Sequence, residues 1–170
     1  PDVLEARAWL KQICDNKRSY SFTFYILGNF LGAAGYGIFF GGTWLDALWA
    51  GFCGILVGIV NRCLDKIKTN QFFQTIAAAF FMSLCAYAAA ALGLTDNADA
   101  VIIGPMMILV PGLLFTNAMR DVMYGDTNSG LNRVVLVLLI AVAIALGTAA
   151  ALTLSTRWWG VPAGVGLADY

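Results

Sequence analysis

Four long segments of this sequence contain no Asp, Glu, Lys or Arg. They cover residues 22–40, 72–92, 101–119 and 134–154. Each is close to the ~20 apolar residues that cross a bilayer as a helix. Only 12% of the chain is charged, whereas soluble domains carry about 25% charged residues. We therefore expect an all-α, polytopic membrane helix bundle.

A fifth apolar segment, 45–63, is shorter, because its charge-free part covers only 47–61. Trp44, Trp49 and Arg62 flank it, as expected of interfacial anchors. The predicted domain of residues 21–156 then holds five transmembrane helices, at about 22–40, 45–63, 72–92, 101–119 and 134–154. We expect residues 1–20 to form a cytoplasmic pre-membrane helix or linker, and residues 157–170 an extracytoplasmic tail.

The first 20 residues are too polar for the apolar core of a secretory signal. They begin with Pro1 rather than Met, so we expect a further segment ahead of them. Residues 3–14 have apolar side chains at approximately helical spacing. This pattern suits the end of a cytoplasmic helix, which we favour, or an interfacial amphipathic helix.

The distribution of basic residues predicts the orientation in the membrane. Nine of the ten Lys and Arg lie before the first span or in the loops after the second and fourth spans, and the tenth is Arg157. Short loops rich in Lys and Arg stay in the cytoplasm. The N-terminus is therefore predicted to be cytoplasmic and the C-terminus extracytoplasmic.

Several kinds of chemistry are disfavoured by composition. The chain has no histidine, and its four cysteines have no CxxC spacing, so we expect no metal site and no cofactor. The cysteines are predicted to be small packing residues rather than disulfides. Phosphate-binding glycine loops and basic-aromatic surfaces are also missing from the sequence. An enzyme and a nucleic-acid partner are therefore not expected.

Small residues recur within the spans, as in Gly28 and Gly32, Gly54 and Gly58, and Ala143 and Gly147. Membrane helices associate through close backbone contact at such residues. Their accumulation predicts a tightly packed bundle rather than separate anchors.

The fourth span contains two prolines. Pro105 and Pro111 have no N–H, so the carbonyls of Val101 and Met107 lack their helical donors. Gly112 adds flexibility after the second proline. Bare carbonyls in lipid must find protein, water or a ligand, and transporters use broken helices as binding sites. A simple proline kink explains the same residues, and the prolines alone favour the kink.

A polar cluster follows this break. If the helix resumes after Gly112, Thr116 and Arg120 are one turn apart, and so are Asn117 and Asp121. The planar guanidinium of arginine suits a carboxylate or a phosphate. A solvated charge pair at a cytoplasmic helix end explains the cluster equally well, so both interpretations stay open.

Polar residues occur at two further places, inside the first span and after the fourth. Asn29 lies inside the first span, where it lines a pathway or forms an interhelical hydrogen bond. Residues 124–133, "YGDTNSGLNR", are rich in turn formers, and Asp126, Asn128 or Ser129 is expected to cap the fifth span.

One long motif carries a family resemblance. The stretch "LVPGLLFTNAMRDVMYGDTNSGLNR", residues 109–133, closely resembles the central signature of the bacterial threonine/serine exporters. The stretch "FFGGTWLDALWAGFCG", residues 39–54, resembles that family's Gly-Gly loop followed by an Asp. With "DAVIIGPMMILVPG" upstream, the similarity runs from about Tyr20 to Leu154.

The resemblance implies an exporter of small amino acids or related carboxylates in the bacterial inner membrane, driven by an ion gradient. Family members combine two membrane halves in one chain or in two subunits, and the split members are linked to dicarboxylates such as succinate. This chain resembles the first half. We therefore expect a second membrane subunit or a homo-oligomer as its partner, besides the small-molecule substrate and the bilayer. A fused second half would be inverted, because five spans is an odd number.

The leading hypothesis is a substrate path along the fourth span. Its predicted residues are Pro111, Gly112, Thr116, Asn117, Arg120, Asp121, Asp126 and Asn29. Arg120 would bind the substrate carboxylate, and Asp121 or Asp126 its ammonium group or a coupling proton. One alternative is a non-transporting assembly subunit with interface ions at Arg120 and Asp121. Another, an intramembrane enzyme, needs paired acids around a metal, which Asp121 and Asp126 supply poorly.

Overall fold

The computed structural model describes residues 21–95 and 97–160, together with Arg7, Trp9, Leu10 and Gln12. Within 21–160 six helices follow one another, and this part of the chain has no strand. They are α1 (Phe22–Phe39), α2 (Trp44–Lys66), α3 (Gln71–Ala91), α4 (Ala98–Leu109), α5 (Gly112–Met123) and α6 (Thr127–Trp159). The all-α prediction is confirmed. Apart from those four residues, the predicted segment 1–20 lies outside the described residues, and so does the predicted tail beyond Gly160.

Four of the helices, α1, α2, α3 and α6, are long and apolar enough to cross a membrane. Helices α4 and α5 qualify only together, as a pair bent by 53°, so the described residues contain four candidate spans, or five if the bent pair counts as one. The predicted fifth span began at residue 134, whereas α6 begins at Thr127 and has 33 residues. At ~1.5 Å per residue α6 is ~50 Å long, which exceeds the ~30 Å apolar core of a bilayer. Apolar content alone missed its first two turns, because they carry polar side chains.

The loop between α1 and α2 lies tightly against α4. Gly41 has a φ of +87°, a left-handed conformation that favours glycine. A Cβ atom on Gly42 would lie 2.8 Å from the carbonyl oxygen of Gly37 and 3.0 Å from the Cβ of Ala100. Gly41 is therefore required by the left-handed turn, and Gly42 is required because the backbone of Gly37 and the side chain of Ala100 lie so close to it.

Asp46 is a fully buried carboxylate in the first turn of α2. Its Oδ2 accepts hydrogen bonds from the backbone N–H and the hydroxyl of Thr43, both at 2.9 Å. Its Oδ1 accepts from the backbone N–H of Asn97 at 3.3 Å, just before α4. The capping box of α2 thus also joins the α1–α2 loop to the start of α4.

We expect Asp46→Ala to lower the free energy of unfolding by about 2–4 kcal/mol, because it removes a cap and leaves buried donors without acceptors. The measurement is thermal or denaturant unfolding in detergent. Asp99→Ala is the matched control, since Asp99 is an exposed acid in the first turn of α4 at the same end of the bundle. Equal stability of the two variants would contradict the structural role of Asp46.

Small residues make the closest helix contacts, as predicted. A Cβ on Gly54 would lie 2.6 Å from the Cβ of Ala33 in α1, and one on Gly147 would lie 2.5 Å from the carbonyl oxygen of Ile76 in α3. The GxxxG pair of the first span behaves differently. Gly28 has no atom within 4 Å of such a Cβ, and Gly32 would meet only Ile108, at 3.9 Å. Close packing of α1 on α2 therefore depends on the glycines of α2 and on Gly37 near the end of α1, rather than on Gly28 and Gly32.

The thiols of Cys53 and Cys85 meet between α2 and α3. Cys53 is completely buried in the apolar core around Val57 and Met82, and Cys85 packs against the same core. Both are free thiols. The sequence spacing gave no sign of this pairing, because it depends on how the two helices are rotated.

We call the end where α1 and α3 begin and α2 ends the basic end. It carries Arg62, Lys66 and Lys68. Helix α6 runs from this end alongside α3, and Gly147 lies beside Ile76 and Phe80. Gly147 lies 20 residues into α6 but is level with Ile76, only five residues into α3, so the first turns of α6 extend ~20 Å beyond the start of α3. Helix α5 lies antiparallel to these turns, and we call the two together the α5–α6 hairpin.

Candidate functional site

The break between α4 and α5 is an inverse γ-turn centred on Pro111. Pro111 has φ −82° and ψ 65°, and the N–H of Gly112 donates to the carbonyl oxygen of Val110 at 2.9 Å. The carbonyl of Met107 has no helical donor because Pro111 has no N–H. Ile108 loses its donor too, since the N–H of Gly112 bonds to Val110. The helix therefore ends where the sequence predicted a break.

Pro105 does not break the helix. It lies buried inside α4, which continues to Leu109. Next to it, a Cβ on Gly104 would lie 2.6 Å from the carbonyl oxygen of Ala33, so α4 is held closely against α1. A proline within a membrane helix is tolerated where neighbouring helices fix the surrounding turns. Only one of the two prolines creates a discontinuity.

The predicted polar cluster is divided between two faces of α5. Asn117 and Asp121 are half-buried next to the buried Ala118, on the face that packs against α6. Thr116 and Arg120 lie on the opposite, exposed face, where the Thr116 hydroxyl donates to the carbonyl oxygen of Gly112 at 3.0 Å. The sequence spacing correctly placed the members of each pair one helical turn apart. One pair faces α6, however, and the other is exposed.

Asp121 forms an ion pair inside the α5–α6 hairpin. Its Oδ2 lies 2.7 Å from Nη1 of Arg133, and its side chain is only 17% exposed. Close helix packing makes this possible, since a Cβ on Gly130 would lie 2.5 Å from the side chain of Val122. Asp121 is therefore held by α6 and does not pair with the adjacent Arg120. The sequence signal for this is Arg133, a basic residue about two turns into α6, where apolar length alone predicts a loop.

Asp126 lies apart from the other predicted residues, at the tip of the hairpin. It is the N-cap of α6, and its carboxylate accepts from the backbone N–H of Ser129 at 3.3 Å. Hydrogen bonds from Ser129, helped by the charge of Arg133, lower the pKa of Asp126. Capping was one of the roles predicted for Asp126, and the exposed carboxylate stays ionised at neutral pH.

Arg120 has no ion pair with any residue in 21–95 or 97–160. It is exposed, and Leu113 and Met123 on the same side of α5 are each 83% exposed. An arginine on an otherwise apolar surface is costly in lipid, so this face has to meet water or protein. Its guanidinium remains available for an anion.

Asn29 lies near the break. Its buried side-chain amide donates to the carbonyl oxygen of Tyr25 at 2.8 Å and packs against Gly58 of α2. It also lines a groove of about 320 Å³ with Phe24, Tyr25, Gly28 and Ile108. Ile108 precedes Pro111 by three residues, so the groove reaches the turn before the break. The structure thus brings Asn29 and the break together, and leaves Arg120 and Asp126 further along the hairpin.

Exchanging the charges of the Asp121–Arg133 pair tests the hairpin. We expect Asp121→Arg or Arg133→Asp alone to loosen α5, because each places two like charges in contact. The double exchange should restore protection of α5 from proteolysis or hydrogen exchange. If both single variants kept full protection, or if the double variant did not regain the protection that the single variants had lost, the pair would not hold the hairpin.

The sequence also matches a known protein family. A family model described as "Putative threonine/serine exporter" matches residues 1–155. The chain belongs to this family. With its four or five apolar helices, membership makes it a multi-pass membrane protein of the bacterial inner membrane.

One relative is a protein of Mycobacterium tuberculosis (strain ATCC 25618 / H37Rv) named "Probable threonine/serine exporter". The two are 29% identical over 120 residues, which is 68% of this chain and 22% of the relative. The match thus covers about a fifth of the relative's length. No solved structure matches the chain.

Proposed function

We propose that the chain is one half of a secondary transporter that exports threonine, serine or related small carboxylates. Its N-terminus would be cytoplasmic and its C-terminus extracytoplasmic, so the basic end faces the cytoplasm. The observation that carries the proposal is Arg120, a cation without an ion pair among the described residues, on the exposed face of a helix that follows a break.

The break and Arg120 would act on the substrate in succession. Pro111 gives α5 no side-chain cap, and the N–H of Gly112 is used in the turn. The N–H groups of Leu113 and Leu114 remain free to interact with a carboxylate. Arg120 lies eight residues further on, ~12 Å along the helix, which is too far for one small amino acid to contact both. A substrate from the cytoplasm would therefore meet Arg120 first and the helix break second.

The ammonium group of an amino acid requires an acceptor. Asp121 is already neutralised by Arg133, and Asp126 caps α6 at the tip of the hairpin. The carbonyls of Met107 and Ile108, left without helical donors at the break, are better placed for this role, and Asn29 lies in the adjoining groove. We therefore assign the acceptor role to the break and keep the two acids as structural and capping groups.

A second membrane half would cover the exposed side of α5. Leu113 is 83% exposed, and Arg120 is exposed two turns further along the same face. Lipid does not suit the arginine and water does not suit the leucine. A partner of opposite orientation, or a second copy of this chain, would enclose a path against that face.

The test is counterflow in proteoliposomes. Vesicles loaded with unlabelled threonine, serine or succinate are given the labelled compound, with this chain alone or with the co-purified second membrane subunit. We expect saturable uptake only when both are present. A transport-competent monomer would contradict the two-half arrangement.

The competing hypothesis is an assembly subunit that moves no substrate. It predicts no flux with any partner, and loss of complex formation rather than of transport when Arg120 is replaced. The structure weakens one part of it, since Asp121 is bonded within the chain and is not available as an interface ion.

A further inference from the structure

A cleft of about 310 Å³ lies at the basic end, between the start of α1 and the end of α2. Its lining residues are Phe22, Ile59, Arg62, Cys63 and Lys66. The cleft shares no lining residue with the groove at Asn29 or with the α5–α6 hairpin, and Tyr25 of that groove borders it beside Arg62. It therefore belongs to neither part of the proposed path.

Arg62 is fixed in this cleft by aromatic contacts. Its guanidinium carbon lies 5.0 Å from the ring centroid of Phe22 and 5.9 Å from that of Tyr25. Contact with a ring face holds the planar group while its N–H donors, which lie in the plane, remain available. Arg62 thus presents an oriented set of donors.

The positive charge of the cleft is not neutralised within residues 21–95 and 97–160. Neither Arg62 nor Lys66 forms an ion pair there. The nearest acid in sequence, Asp65, accepts a hydrogen bond from Gln74 of α3 at 3.0 Å, away from the cleft. The two helix ends that meet at the cleft have opposite dipoles, so the net field comes mainly from the two cations.

The remaining surface of the cleft is apolar and open to the surroundings of the bundle. Phe22 is 49% exposed and Ile59 is 38% exposed. Two cations one turn apart, above apolar side chains at the end of membrane helices, match a ligand that has an anionic head and an apolar body. A soluble anion would leave the apolar walls without a role.

We propose that this cleft binds the phosphate group of an anionic phospholipid, with Arg62 and Lys66 as its donors. The acyl chains would extend along Ile59 and Phe22. The bound lipid would fix α1, the helix that carries Asn29, against α2 at the basic end. The site does not depend on the proposed transport, because it is assigned from charge, shape and position in the bundle.

The test counts phosphatidylglycerol bound to the full chain by native mass spectrometry in an uncharged detergent. We expect binding to weaken about tenfold for Arg62→Gln or Lys66→Gln, and further for the double variant. Lys68→Gln is the matched control, since it removes a cation at the same end that does not line the cleft. Retained binding in the double variant, or equal loss in the control, would overturn the proposal.

Cys63 reports the location of the ligand. It lines the cleft as an exposed free thiol, and its labelling by a maleimide can be followed by peptide mass spectrometry. Phosphatidylglycerol should slow this labelling, whereas phosphatidylcholine and inorganic phosphate should not. Equal protection by inorganic phosphate alone would assign the cleft to a free anion and overturn the lipid site.

Discussion

Replacing Arg120 with glutamine is expected to lower substrate counterflow about 10- to 100-fold, because charge-assisted hydrogen bonds to a carboxylate contribute about 1.5–3 kcal/mol. Arg120 has no ion pair with a described residue, and its side chain is exposed on α5. Its loss should therefore leave the fold of this chain intact. The measurement is the initial rate of counterflow in vesicles that contain both membrane halves.

Two further variants make the result specific. Arg157→Gln removes an exposed cation from the last turn of α6, at the other end of the bundle, and should leave counterflow unchanged. Arg120→Lys keeps the charge but loses the planar fork, so partial activity is expected. Unchanged transport by Arg120→Gln would remove Arg120 from the path. Loss of assembly with the partner, rather than loss of rate, would instead support the assembly-subunit hypothesis.

Gly54→Leu is expected to disrupt the packing of α1 on α2. A Cβ on Gly54 would already lie 2.6 Å from both the Cβ of Ala33 and the carbonyl oxygen of Asn29, so α1 must move away from α2. Overpacking of this kind costs about 1–3 kcal/mol, and the rigid backbone atom at Asn29 should place the cost near the upper end. The expected result is a large fall in the unfolding temperature in detergent, measured by loss of the monodisperse peak on heating.

The control is Gly28→Leu in the first span. Gly28 is exposed at the open groove beside Asn29 and has no atom within 4 Å of an added Cβ, so an extra apolar side chain should fit there without moving α1 from α2. Its unfolding temperature should stay near that of the parent chain. A loss as great as that of Gly54→Leu would show that another molecule packs on α1 at Gly28, or that α1 and α2 pack differently.

Much of the architecture could be predicted because the apolar core of a bilayer allows few backbone conformations. Backbone N–H and C=O groups cannot be left unpaired in the apolar core of a bilayer, so long apolar segments must become helices. The same rule made Pro111 a predicted break, and the turn at Val110–Gly112 ends α4 there. It did not distinguish Pro105 from Pro111, because tolerance of a proline depends on the packing of neighbouring helices rather than on the proline itself.

The candidate site was only partly predictable. The sequence spacing predicted that Thr116 is a neighbour of Arg120 and Asn117 a neighbour of Asp121, because residues four apart in one helix lie on the same face. It did not show that α6 covers one pair and leaves the other exposed. The same limit applies to Asp46, whose carboxylate bonds to Asn97, 51 positions further along the chain.

The sequence by itself determined that this chain is a set of membrane helices, where they begin and end to within a few turns, and where one of them breaks. Hydrophobic length, charge placement and the missing proline N–H are local properties. The tertiary structure alone decided that Asp121 pairs with Arg133, that Arg120 lacks such a partner within the described chain, and that Arg62 and Lys66 share a cleft with Phe22. Those relations depend on how the helices are rotated and placed against one another, and sequence spacing specifies neither.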